Sequence, residues 1–414
     1  MLPAESAAVS IDPPALNVDL PEPDASERAH EARLAAALRA EIAQSGPLPF
    51  PRFMERCLYA PGLGYYSAGR AKFGAAGDFV TAPELGALFA RSLARAMAPT
   101  LAACGDGAVW FELGGGSGAF ARDALRELAI LGSLPRRYRI LEPSADLRDR
   151  QRRCLGSELA PELFALVEWL DGPPAEPWFG VVFANEVLDA LPVTRFARRE
   201  GSVYEQFVAL DAADGNFTFV EQPADALVAG AVHNIERSLG APLPEGYRSE
   251  VLPQLPWWLD AVAGPLERGA VLFVDYGYPR RAYYLPERND GTLICHYRHR
   301  AHGNPLVLLG LQDVSASVDF TALAEAGHAA GFTLASYAPQ SHFLFAAGLD
   351  RVFEDAYATA GSEAERYALA NEVKRLTLPG EMGERFQAMV LTRGLDDAMD
   401  CFAPLVAADR SERL

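Results

Sequence analysis

From residue 108 onward the chain alternates short apolar runs with stretches whose apolar residues recur every three or four positions. Residues 108–113 form an apolar run interrupted only by Glu112 and ended by a glycine cluster, which predicts a buried strand. The next stretch places Phe120, Ala124, Leu128 and Leu131 on one helical face. Further strands are predicted over 138–141, 166–170, 180–184 and 270–275, the last after a helix containing Trp257, Trp258 and Val262. A helix over 320–330 and strands over 332–337 and 386–391 complete the rhythm. Strands separated by helices predict right-handed crossovers and a doubly wound, mostly parallel sheet. Residues 194–222 break the pattern: Val203, Phe207, Val208, Phe217 and Phe219 fall in alternating runs that predict an antiparallel β insertion.

Ahead of this region, residues 1–24 are rich in Pro, Ala and Asp without apolar periodicity and read as a disordered tail. Asp24 and Glu27 have the spacing of a capping box, followed by Leu34, Leu38 and Ile42 at helical intervals. A short helix is predicted over 51–59. A loop over 62–84 then carries glycines among Tyr65, Tyr66, Lys72, Phe73, Asp78 and Phe79, a composition suited to covering a ligand. The expected organisation is a tail at 1–24, a helical and loop extension at 25–104, and a core domain at 105–393 with an insertion at about 194–250. A tail at 394–414 follows.

Charge narrows the chemistry. The 414 residues carry 37 basic and 55 acidic side chains, a formal net charge of −18. An acidic chain without a basic block repels phosphate backbones, which argues against nucleic acid as a partner. No run approaches the roughly 20 apolar residues needed to cross a bilayer, so no membrane insertion is expected. Only Lys72 and Lys374 are lysines; the arginine bias points to a GC-rich, bacterial coding genome. Five scattered cysteines without C-x-x-C and the lack of a signal or transit sequence point to a reducing cytoplasm.

The sharpest local motif is Glu112-Leu-Gly-Gly-Gly-Ser-Gly118, between a predicted strand and a predicted helix. Gly114, Gly116 and Gly118 permit a tight turn and close approach of backbone to ligand, and the helix N-terminus offers unpaired N–H donors. The same letters fit a dinucleotide fingerprint. Acids at successive strand ends favour a cationic ligand instead. Glu112 precedes the turn, where it would face an ammonium. Glu142, 24 residues beyond Gly118, is positioned to accept both hydroxyls of a ribose, and Asp171 to accept an adenine amino group. Asn185 and Glu186 stand at the mouth of the site. This set favours S-adenosylmethionine, a sulfonium, over NAD.

These residues bring the chain into a known group. It resembles the MidA-like family of S-adenosylmethionine-dependent methyltransferases, which includes a mitochondrial complex I assembly factor. The resemblance runs from about residue 46 to 393. Its carriers are Phe53-Met-Glu-Arg-Cys-Leu-Tyr-Ala-Pro-Gly-Leu-Gly-Tyr-Tyr66, Gly77-Asp-Phe-Val-Thr-Ala-Pro-Glu84, the glycine turn and Ala184-Asn-Glu-Val-Leu-Asp-Ala-Leu-Pro192. Phe273-Val-Asp-Tyr-Gly277, Val318-Asp-Phe320 and Met382-Gly-Glu-Arg-Phe386 follow. It implies a seven-stranded Rossmann-like methyltransferase sheet and a donor bound at the glycine turn. The implied acceptor is a protein arginine, with a respiratory-complex subunit as the candidate partner. The triple-glycine turn departs from the proline and arginine common there in the family.

A guanidinium is planar, permanently charged and weakly nucleophilic, so carboxylates are needed to hold it. Glu186 and Asp189 are three residues apart; a helical turn starting there would put both on one side. They either grip the substrate, with Asn185 orienting it, or Asp189 caps a helix and Glu186 touches only the cofactor. Asp78 is the candidate to reach the donor or substrate from the loop, with Phe79 and Tyr66 excluding water. Residues 295–302 (Cys-His-Tyr-Arg-His-Arg-Ala-His) match no zinc spacing; no metal is expected, and the segment reads as a surface or substrate-facing loop with Tyr297, Arg298 and His299 available to a partner. The competing readings are an NAD(P)-binding oxidoreductase on the same turn and a non-catalytic assembly factor with a methyltransferase fold.

Overall fold

The computed structural model describes residues 9–11, 19–68 and 81–414. Two compact units are woven from alternating segments: one from 1–79, 189–254 and 280–317, the other from 80–188, 255–279 and 318–414.

The second unit is built on the predicted parallel sheet. Its strands are β1 (Val109–Leu113), β2 (Arg137–Leu141), β3 (Val167–Leu170), β4 (Trp178–Asn185), β5 (Leu266–Tyr278), β6 (Thr333–Pro339) and β7 (Phe386–Arg393). They lie in the order β3-β2-β1-β4-β5-β7-β6. Pairing is parallel from β3 to β5, whereas β7 runs antiparallel to both β5 and β6. A two-residue strand, Val318–Asp319, adds an eighth, pairing in parallel with the end of β5. Every residue of β1 is buried, as a central strand covered on both faces requires. Helices α1 (Leu88–Cys104), α2 (Ala119–Ile130) and α3 (Ala145–Glu158) belong to this unit. Trp110 of β1 stacks on Tyr138 of β2 at 6.0 Å, and Phe120 of α2 stacks on Phe183 of β4 at 4.0 Å, all four side chains buried. The strand end that carries the glycine turn is thereby anchored in a rigid aromatic core.

Three expectations need adjustment here. Leu131 does not extend the buried face of α2: it is the C-cap residue and is exposed, because the chain turns at Gly132 before completing another helical turn. The last 21 residues are not a loose tail, since Phe402 and Leu405 insert into the core and the Arg410 amide bonds the Tyr337 carbonyl. Helix α1 belongs with the parallel sheet rather than with an N-terminal extension.

In the first unit, the antiparallel strands Thr194–Arg199, Ser202–Leu210 and Phe217–Pro223 form the predicted insertion. Arg248–Val251 and Leu48–Pro49 also pair into this sheet. So do residues Val9–Ile11, within the segment read as a disordered tail: they pair with Phe217–Pro223. The helix Ala25–Ser45 begins at the expected capping box and buries Leu34, Leu38 and Ile42. The expected loop at 295–302 is instead a hairpin of Ile294–Tyr297 and Arg300–His302, flanked by Asp313–Ser315. Cys295 and Tyr297 are buried, and the Tyr297 hydroxyl donates to Glu27 at 3.1 Å, so apolar packing overrides the polar look of the segment.

Candidate functional site

The glycine turn sits at the C-terminal end of β1, the edge where doubly wound sheets hold ligands. Gly114, Gly116 and Gly118 adopt left-handed backbone angles of 65°, 52° and 91°, which L side chains rarely adopt. At Gly116 a side chain would meet nothing within 4 Å among the described residues, so these leave that side of the turn open. Gly118 caps α2 with no side-chain hydrogen bond, leaving N–H donors of the helix start without side-chain caps apart from the 3.2 Å bond of Ala119 N to the Ser117 hydroxyl. The Ser117 hydroxyl in turn donates to Glu84.

Glu112 and Glu142 flank this turn and are both buried. The Tyr138 hydroxyl donates to Glu112 Oε2 at 2.8 Å. Burial pushes the Glu112 carboxyl up to about 8; the bond from Tyr138 opposes the rise and the charge of Glu142 adds to it. Glu142 accepts from the Ser144 amide at 3.0 Å and from Gln151 Nε2 at 3.2 Å, which orients its carboxylate. Asp171 differs from both: its side chain is almost wholly exposed and pairs with Arg148 at 2.6 Å. Arg148 also bonds the Leu170 carbonyl, so Asp171 is tied to the rim.

Asn185 ends β4. Its Nδ2 donates to Glu186 Oε1 at 3.0 Å, while its Oδ1 is buried with no hydrogen-bond partner among the described residues. Glu186 holds a left-handed backbone, φ 52°, strained for a residue with a side chain. No helix begins here: residues 186–190 run as a bend and a turn. The Leu188 amide is taken by Asp275 Oδ2 at 2.9 Å, which diverts the donor a helix would use. The two acids therefore do not share a helical face. Asp189 falls in the other unit, buried, its carbonyl accepting from Ala316. Asp78 and Phe79 lie outside the described residues.

The fit to a ligand is chemical. A glycine turn, helix N–H donors, two buried carboxyls and a buried Asn185 oxygen with no partner among the described residues suit a molecule with a carboxylate, a cationic end and a ribose. The profile of an S-adenosyl-L-methionine-dependent methyltransferase family matches residues 92–338. The chain belongs to that family. A Burkholderia thailandensis protein solved with S-adenosyl-homocysteine superposes with a TM-score of 0.87 at 44% identity, over 96% of this chain and 100% of that one. A native crystal structure from the same organism gives 0.84 at 44% identity. The chain is also 27% identical to the Drosophila melanogaster protein named "Protein arginine methyltransferase NDUFAF7 homolog, mitochondrial", over 90% of this chain and 88% of that protein. For its Homo sapiens counterpart the identity is 27%, over 85% and 81%.

S-adenosyl-L-methionine is thus the cofactor of this methyltransferase, rather than NAD(P). Several residues given no role in the motif reading take part in building the site: Tyr138, Gln151, Arg148 and Asp275, the last within the quoted motif at 273–277. One left a trace in the sequence. Gln151 falls between Leu147 and Leu155 on the buried stripe of α3, where an apolar residue is the rule. Among the described residues, no helix is long and apolar enough to cross a membrane.

Proposed function

We propose that this methyltransferase methylates a terminal guanidinium nitrogen of an arginine in a protein acceptor. The observation that carries the reading is Glu186 at the end of β4, held in a left-handed backbone and accepting a hydrogen bond from Asn185 Nδ2. A carboxylate, with two acceptor oxygens, matches the N–H fork of a guanidinium. The names of the relatives from Drosophila melanogaster and Homo sapiens support the same acceptor, and the net charge of −18 favours a cationic protein segment.

The donor supplies an electrophilic methyl group on a sulfonium. Glu112, Glu142, Asp171, Asn185 and the glycines at 114, 116 and 118 hold it in this reading. Glu186 localises the guanidinium charge on the nitrogens it grips, leaving the third free to attack in line. The N–C bond forms as the C–S bond breaks, S-adenosyl-homocysteine leaves as a neutral thioether, and the nitrogen gives up one proton to water. Asp189 and Asp78 are proposed as further acids of the acceptor side on the sequence motifs alone. A respiratory-complex subunit is the acceptor we favour, in a bacterial cytoplasm.

The test is incubation of the purified protein with S-adenosylmethionine labelled at the methyl, in extract of cells lacking the gene. Label in protein, recovered after acid hydrolysis as methylarginine and abolished by Glu186→Gln, is expected. Label confined to small molecules or to other side chains sinks the arginine assignment; an absence of any transfer favours an assembly role.

A further inference from the structure

We propose that Gln151 is a positioning residue for the methyl donor, its side-chain amide bracketing the glycine turn, the Glu142 carboxylate and Trp169 into one rigid frame. Gln151 is fully buried on α3, on a face otherwise made of Leu147 and Leu155. Its Nε2 donates to the Gly116 carbonyl at 3.0 Å and to Glu142 Oε2 at 3.2 Å. Its Oε1 accepts from the Trp169 indole N–H at 2.9 Å. An indole N–H only donates, whereas a carbonyl and a carboxylate only accept, so these neighbours permit one orientation of the amide. Both amide hydrogens are used.

Three neighbouring strands meet at this group: the turn after β1, the acid after β2 and Trp169 on β3. Packing presses them together. A Cβ on Gly115 would lie 3.0 Å from Gln151 Nε2, and one on Gly118 would lie 3.4 Å from Gln151 Cα. The second Glu142 oxygen is held by the Ser144 amide. With both oxygens engaged by donors, the plane of the carboxylate is set before any ribose arrives, which removes an ordering penalty from binding. A leucine would fill the same space and supply none of these bonds.

This inference rests on the donor lying at the glycine turn. It is tested by calorimetric titration of the full chain with S-adenosyl-homocysteine, the non-reacting product, for wild type, Gln151→Met, Gln151→Glu and Trp169→Phe. Losing a hydrogen bond to a charged group predicts that Gln151→Met weakens binding about tenfold or more. Gln151→Glu sets a carboxylate against two acceptors. Read as a ratio to wild type at each pH, its defect is expected to be large at pH 8 and to shrink towards pH 5.5, where a protonated acid carries one donor. Trp169→Phe, which frees the amide to turn, falls between. Binding by all three variants within twofold of wild type, or a Gln151→Glu ratio flat with pH, overturns the bracket. If Gln151→Met fails to fold, the other two variants decide. A wild-type protein that does not bind removes the donor-site assignment, and the bracket with it.

Discussion

Tyr138 and Glu112 face each other across the first two strands of the sheet, the phenol donating to the carboxyl at 2.8 Å with both side chains buried. Burial lifts Glu112 to about 8 against the opposing Tyr138 bond, which leaves this acid beside the glycine turn neutral in the free protein at pH 7. Its ionisation is then coupled to whatever cation arrives.

That coupling has a sign. A cationic donor favours the ionised carboxylate, so binding near pH 7 releases a proton and affinity rises with pH until about 8. Calorimetry with S-adenosylmethionine in two buffers of different ionisation enthalpy should detect the proton. Glu112→Gln should remove both the release and the pH slope. Between its ordinary value and about 8 the folded state holds a proton that the unfolded state has lost, so this group lowers stability as pH rises through that window. Glu112→Gln should accordingly raise the melting temperature of the free protein at pH 8.5; an unchanged or lowered value there counts against the shift.

At the turn itself, Gly116→Val combines a branched side chain with a backbone angle of 52° and fills the open side. Donor binding is expected to fall at least tenfold, with a melting temperature lowered by only a few degrees. Wild-type affinity in that variant means the ligand sits elsewhere.

Glu142→Ala removes the acceptor held by Ser144 and Gln151. A Kd for S-adenosyl-homocysteine about ten- to hundredfold higher is expected, by the worth of hydrogen bonds to a charged group. S-adenosyl-homocysteine lacking its ribose hydroxyls should bind wild type and variant alike; a remaining difference refutes ribose recognition by Glu142.

Glu186→Gln should cut the transfer rate by two orders of magnitude or more while donor affinity stays within threefold, as for a residue that grips the acceptor. A parallel loss of donor binding assigns Glu186 to the cofactor instead.

Core packing supplies a stability check. Phe120 lies 4.0 Å from Phe183, with both rings buried, and Phe120→Ala should destabilise by about 3–5 kcal/mol in urea unfolding.

Much of this architecture was legible along the chain because it rests on local rules. Apolar runs such as 109–113 mark buried strands, Asp24 and Glu27 cap their own helix, and a glycine cluster between strand and helix announces a turn. The polar look of 295–302 misled, since His, Arg and Tyr in a short segment do not reveal that Cys295 and Tyr297 point into a core. Acids at strand ends were found by position, but position could not tell Glu142, buried and oriented, from Asp171, exposed and tied to Arg148.

By itself, then, the order of residues determined the individual strands and helices, the glycine turn and the acids at the strand ends, because each depends on neighbours within one or two turns of chain. Tertiary structure alone decided that Gln151 meets Gly116, Glu142 and Trp169, that Tyr138 keeps Glu112 company, and that Asp275 takes the Leu188 amide. Those bonds join residues 9 to 87 positions apart. Only the packed sheet brings such groups within 3 Å or so of one another, where burial makes their hydrogen bonds and their charges count.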